Sequence, residues 1–266
     1  MHLINGQWQS GISASDRAVQ FGDGCFTTAR ILAGQVCYLN DHLRRLQQAC
    51  EVLLITEVDW QALLQEINQL VSDVPDGVLK IILSRGAGGR GYSASHCDNP
   101  TRILSLFPRP TFYQQWREQG IKLALSSVRL GQNPALAGIK HLNRLEQVLI
   151  RTHLEQTDAE EALVLDSDGR LVECCAANLF WRKGERVFTP YVDKSGVNGT
   201  MRQHIMACLE KSSWCCEQVG EPLDTLADAD EVVICNALMP IIPVRQAQNW
   251  HYPTGALYHF LAPLCE

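Results

Sequence analysis

The chain has 266 residues, enough for one large or two modest domains with a sizeable core. Its net charge of −6 argues against nucleic acid or an anionic membrane as the main partner, since both want a basic face. A small anion held by a few local arginines stays open. Eleven cysteines occur without C-x-x-C spacing, so no metal site is expected. Several, such as Cys25, Cys208 and Cys235, lie in apolar runs where a thiol acts as a small hydrophobe. The first ten residues lack the charged and apolar regions of a signal peptide, and no apolar run approaches ~18 residues. A reducing cytoplasm is the expected compartment.

In chain order, His2 to Trp8 alternates around Asn5-Gly6 and predicts a hairpin. Cys25 to Leu32 and Val36 to Leu39 predict strands, and Asn40-Asp41 is placed to cap a helix from His42 to Leu54. A second helix follows over Trp60 to Val71. Strands are expected at Val78 to Ser84 and Thr101 to Phe107, separated by a glycine-rich loop at Gly86 to Gly91. Pro108-Arg109-Pro110 breaks regular structure and marks a linker. Beyond it come a strand (Lys122 to Ser127), a helix from Leu142, and a meander of strands between Ala162 and Phe188. A helix at Val197 to Lys211, strands at Glu231 to Cys235 and Ile241 to Val244, and a helix at Ala256 to Leu264 complete the chain. Strands alternating with helices in both halves suggest two α/β lobes.

Of the six lysines, Lys140 stands apart. It follows the turn Gly131 to Gly138, and the apolar positions 142, 145, 148, 149 and 152 share one helical face. The lysine is therefore expected at the mouth of a helix. The positive end of the macrodipole and desolvation would both push its ammonium toward the neutral amine, a nucleophile able to form a Schiff base. The plainer alternative is a surface lysine with a snorkelling stem. Lys80 and Lys122 lie in expected strands and could face either way.

Four other features accompany it. Glu173 is a lone carboxylate in the apolar run Leu171 to Phe180; buried, it needs a partner, and a protonated pyridine nitrogen would serve. An outward-facing strand position is the alternative. Gly196-Val197-Asn198-Gly199-Thr200-Met201-Arg202 brings small residues into a helix start, an arrangement that binds phosphate through backbone N–H groups. Asn236-Ala237, just after a buried strand, can add further N–H donors. Arg45 has a fork suited to phosphate oxygens, unless it is simply a solvated helix arginine.

This ordered set resembles the fold-type-IV pyridoxal-phosphate enzymes, the branched-chain and D-amino-acid aminotransferase family, over essentially the whole chain. The resemblance implies an α/β (α+β) fold with a small N-terminal α/β lobe (1–107), a linker (108–117) and a larger C-terminal lobe (118–266). Pyridoxal 5'-phosphate would lie between the lobes of a homodimeric enzyme. Lys140 would carry the Schiff base, Glu173 would hold the pyridine nitrogen, and Arg45, Val197, Asn198, Asn236 and Ala237 would bind the phosphate.

Within the family, aminotransferases carry an acidic residue after the aromatic of Gln20-Phe21-Gly22-Asp23-Gly24-Cys25-Phe26-Thr27-Thr28-Ala29-Arg30, where this chain has Thr27 and Thr28. With Gly88-Gly89-Arg90-Gly91-Tyr92 and Lys140-His141-Leu142-Asn143-Arg144-Leu145, this resembles a lyase branch of the family. That branch converts 4-amino-4-deoxychorismate to 4-aminobenzoate and pyruvate in folate biosynthesis. On this reading Lys140 removes a proton from the amine-bearing carbon and Thr28 assists the leaving oxygen. Arg90 and Tyr92 grip a carboxylate; otherwise their loop is a plain mobile lid. The competing expectations are an aminotransferase acting on a D- or branched-chain amino acid and a pyridoxal-phosphate-binding protein without turnover.

Overall fold

The computed structural model describes residues 1–265 and divides into two compact units. The first comprises residues 1–109 together with 139–143; the second takes 110–138 and everything from 144 onward. Residue 266, the end of the expected C-terminal lobe, lies outside the described residues.

The first unit opens with the predicted hairpin, β1 (His2–Ile4) and β2 (Gln7–Gln9). Asn5 and Gly6 both take positive φ at its turn, as a two-residue hairpin loop requires. Next come α1 (Arg17–Phe21), β3 (Gly24–Leu32), β4 (Gln35–Val36), α2 (Leu39–Val52), α3 (Trp60–Val71), β5 (Asp76–Ser84) and β6 (Thr101–Phe107). The strands form a six-stranded sheet in the order β2-β1-β6-β5-β3-β4, antiparallel at every pairing. Cys25 and Ile31 of β3 and Leu79, Ile81 and Leu83 of β5 pack with Leu46 of α2 and with Leu63 and Ile67 of α3 in one core. Positions 26, 28 and 30 of β3 alternate with buried ones and stay half-buried on the other face.

Two expectations shift here. The second strand is only two residues long, and α2 starts at Leu39 rather than His42. Tyr38, at φ 55°, turns the chain into the helix, so Asn40 and Asp41 lie inside the first turn instead of capping it. By contrast α3 begins where predicted, because the Asp59 side chain accepts the Ala62 N–H at 2.8 Å.

The second unit contains α4 (Tyr113–Gln119), which falls partly within the stretch expected as linker, and β7 (Ile121–Leu125). After α5 (Leu145–Leu154) come β8 (Glu161–Leu165), β9 (Leu171–Cys174), β10 (Asn178–Lys183), β11 (Arg186–Pro190), α6 (Thr200–Glu210) and β12 (Cys215–Val219). The unit ends with β13 (Glu231–Cys235), β14 (Ile242–Ala247), β15 (Trp250–His251) and α7 (Ala256–Leu261). Its sheet runs β12-β11-β10-β13-β14-β7-β8-β9, with β15 paired to β14. Pairings β11–β12, β14–β7 and β7–β8 are parallel and the others antiparallel, so this is a mixed sheet. Its core gathers Leu123, Leu163, Leu179, Trp181, Ile234 and Ile242.

Helix α5 departs from the sequence reading in two ways. It begins at Leu145, leaving Leu142 outside, and the apolar row Leu145, Val148 and Leu149 is more than half exposed. Ile150 and Leu154 are the residues this helix buries.

Candidate active site

Lys140 does not open a helix. Residues 139–143 leave the second unit and run along the free edge of β3 in the first. The Phe26 N–H donates to the Lys140 carbonyl at 2.9 Å, the Leu142 N–H donates to the Gly24 carbonyl at 3.0 Å, and Cys25 bridges His141. Pairing with a strand removes the helix-dipole argument for a neutral amine, because the dipole acts only over a terminal turn. What the strip provides is alternation. Ile139 packs on the apolar core of the sheet, while the half-buried Lys140 places its Nζ 4.8 Å from the centre of the Phe26 ring. Lys80, whose facing the sequence left open, reaches the same ring, with its Nζ at 5.2 Å. Lys80 is the register partner of Thr28 across β5 and β3. Lys140, Phe26, Lys80 and Thr28 therefore form one neighbourhood, half of which the sequence had not linked to the site.

Thr27 leaves the strand on the opposite face and is fully buried. Its Oγ1 lies 2.6 Å from His42 Nδ1 on α2 and accepts from Arg45 Nη1 at 3.5 Å. Burial, assisted by the Arg45 charge, lowers His42 to about 3, so the imidazole is neutral. Burial also brings the Arg45 guanidinium down to about 10. Arg45 is thus a packed side chain rather than a solvated helix arginine.

Arg90 and Tyr92 are both exposed, Tyr92 with its ring 5.4 Å from that of Phe21. Their loop is held by Arg17, which donates to the carbonyls of Gly91 (3.1 Å), Ser93 (3.0 Å) and Tyr92 (3.3 Å). Arg17 is in turn fixed by Asp23, shared with Arg85 at 2.8 Å from each. Burial works to raise the Asp23 carboxyl, but hydrogen bonds from Arg85 and Arg17 overcome it and hold the group below the usual range. The segment is a strapped loop, and the residue that straps it was not among those singled out in the sequence.

In the second unit Glu173 is 5% exposed, which settles its facing. Its Oε2 accepts the Val197 N–H at 2.8 Å, while Arg144 and Arg202 both lie within its field. Gly138 and Val197 bridge: the Gly138 N–H donates to the Gly196 carbonyl and the Asn198 N–H to the Gly138 carbonyl, each at 3.0 Å. These bonds involve the expected phosphate donors. The N–H groups of Val197 and Asn198 are already spent on protein acceptors, and α6 starts at Thr200, with Gly199 as its N-cap. The orphan donors of a helix are those of its first turn, here Thr200 and Met201. The Asn198 side chain also has a protein partner, accepting from Arg202 Nη1 at 2.9 Å.

Asn236 is similarly occupied. Its Oδ1 accepts from the N–H groups of Leu238 (2.8 Å) and Met239 (2.9 Å), its Nδ2 donates to the Ala176 carbonyl at 2.9 Å, and its own N–H donates to Met239. It builds the turn that carries Ala237 at its tip. Gly196 shows how tightly the facing turn is drawn: at φ 82°, a Cβ there would lie 2.5 Å from Val172 Cγ1 and 3.2 Å from Glu173 Oε2. A buried carboxylate under a side-chain-free turn that leads into a helix start fits a flat, protonated heterocycle carrying a phosphate. No group of His, Cys, Asp and Glu suited to a metal ion occurs among the described residues.

The amino-transferase class IV family profile matches residues 24–247. An aminodeoxychorismate lyase from Vibrio harveyi is 38% identical over 92% of this chain and 90% of its own length. A D-alanine aminotransferase from Bacillus licheniformis is 27% identical over 96% of this chain and 90% of its own. The crystal structure of 4-amino-4-deoxychorismate lyase from Pseudomonas aeruginosa superposes with a TM-score of 0.95 at 36% identity, covering 99% of this chain and 97% of that one. By this match over most of its length, the chain is a member of the class IV amino-transferase family.

Proposed function

We propose that the chain is a pyridoxal 5'-phosphate-dependent lyase that converts 4-amino-4-deoxychorismate to 4-aminobenzoate and pyruvate, a step of folate biosynthesis. The observation that carries this reading is the Lys140 neighbourhood on β3, where Thr28 stands at the position beside the Phe26 ring. The lyases among the relatives support it in preference to the aminotransferases, as does Thr27-Thr28 in place of an acid.

Bound pyridoxal phosphate supplies an aldehyde that takes up amines and a protonated ring that spreads the charge left by proton removal. The chain's residues supply the rest. Lys140 Nζ anchors the cofactor and, when released, takes the proton from the amine-bearing carbon of the substrate. Thr28 Oγ1 donates to the ether oxygen as enolpyruvate leaves, and the ring left behind becomes aromatic. Glu173, kept in the field of Arg144 and Arg202, holds the protonated ring nitrogen. Arg45, the first turn of α6 at Thr200 and Met201, and the Ala237 turn take the phosphate; Val197, Asn198 and Asn236 shape those turns. Lys80 joins Arg90 and Tyr92 as a grip for the substrate's carboxylates.

The reading includes a cytoplasmic homodimer, supported by the exposed apolar row Leu145, Val148 and Leu149 and testable by light scattering. No described helix is long and apolar enough to cross a membrane.

The decisive assay follows 4-aminobenzoate and pyruvate released from 4-amino-4-deoxychorismate. The native chain should form both in equal amounts, and Lys140→Ala should be slower by on the order of 10³-fold. Faster amine transfer from an amino acid to 2-oxoglutarate than product release would overturn the assignment in favour of an aminotransferase.

A further inference from the structure

We infer that Thr27 and His42 are positioning residues that aim Arg45 at the cofactor phosphate, and so set the preference of the site for a phosphorylated over an unphosphorylated ring. This rests on the reading of Arg45 as a phosphate ligand.

The geometry is directional. His42 and Arg45 lie three residues apart on α2 and so point from the same helical face. Both meet Thr27, whose hydroxyl is fully buried between them. The Thr27 hydroxyl and His42 Nδ1 share a short hydrogen bond, at 2.6 Å. The same oxygen accepts from Arg45 Nη1, at 3.5 Å. The three side chains thus form one buried hydrogen-bonded row, Arg45 to Thr27 to His42. The Thr27 hydroxyl restrains the guanidinium with a neutral group. Contact with His42 and Arg45 gives Thr27 a role separate from that of Thr28, its neighbour on the opposite face.

The test compares binding of pyridoxal phosphate and of pyridoxal to the cofactor-free full-length chain, read from cofactor absorbance and protein fluorescence. Thr27→Val keeps the shape and removes the hydroxyl. It should weaken pyridoxal phosphate about tenfold while changing pyridoxal less than about twofold. His42→Phe should act in the same direction, and Thr27→Ser should restore the native ratio. Retained pyridoxal binding reports that each variant is folded. If Thr27→Val or His42→Phe weakens both ligands equally, or if Thr27→Ser behaves like Thr27→Val, the positioning role is wrong. Arg45→Met separates the two levels. If it leaves the ratio of affinities untouched, the phosphate assignment of Arg45 itself fails. If it collapses the ratio while Thr27→Val does not, only the positioning role fails.

Discussion

The two units hold their candidate site groups by different means. In the first, Phe26, Lys80 and Thr28 stand on paired strands and Lys140 on a segment hydrogen-bonded to the edge of β3, so alternation decides which side chains share a face. In the second, Glu173, Val197 and Ala237 depend on turns whose backbone groups are bonded to one another and whose glycines admit no side chain. A strand-borne group can be exchanged with little effect on its neighbours, so substitutions there should alter chemistry. A turn-borne group is part of the framework, so substitutions there should alter stability and cofactor retention together.

The sharpest way to break this contrast is Gly196→Ala. Positive φ and contact with Val172 together should cost about 2–5 kcal/mol, seen in urea unfolding and in loss of cofactor. Gly91→Ala, at a similar positive φ but in open space, should cost only about 1–2 kcal/mol. Equal costs would mean that the 196 turn is not crowded.

Glu161 gives a pH-dependent version. It is 4% exposed, and its carboxylate accepts from Ala162 and Ala176, the latter in the turn that holds Asn236. Burial raises it to about 7, against the lowering effect of those N–H groups. The native state therefore keeps a proton that the unfolded chain has already released, and stability falls as pH rises from about 4.5 to 7. Glu161→Gln should remove this slope, on the order of 3 kcal/mol across the window. Unfolding curves at pH 5 and pH 8 that stay parallel for both proteins would contradict it.

On the strand side, Thr28→Val should lower turnover on the order of 10²-fold while leaving cofactor absorbance and unfolding unchanged. Unaltered turnover would remove Thr28 from the chemistry. The smallest effect is expected from Arg17→Met, which unstraps the 91–93 loop. Substrate KM should rise about fivefold, the equivalent of roughly 1 kcal/mol, with turnover kept. An unchanged KM would show that the strap does not serve binding.

Much of the framework was legible in the sequence. The β-branched run of β5 and the capped helix α3 announce themselves locally, through propensity and through the Asp59 cap. Misplaced elements fell where distant segments decide. The helical period from 142 to 152 is real from Leu145 onward, but the edge of β3 competes for residues 139–143 and wins. The glycine turn before α6 was visible, whereas the commitment of the Val197 and Asn198 N–H groups to Glu173 and Gly138 was not, since those partners are remote in sequence. Strand β12 carries Cys-Cys-Glu-Gln-Val without alternation and exists because β11 offers a parallel edge. The apolar row of α5 showed its period but not its exposure, because periodicity names a face without naming what covers it.

The strip at 139–143 has a consequence for how the molecule is made. An emerging N-terminal sheet has a raw border at Gly24 to Phe26, with carbonyl and amide groups awaiting a mate that the ribosome delivers only after linker, helix α4 and strand β7 have been synthesised. Until then that border is open to wrong pairings, including with another nascent copy. The segment that closes it carries Lys140, so completion of the small sheet and placement of that lysine are a single event.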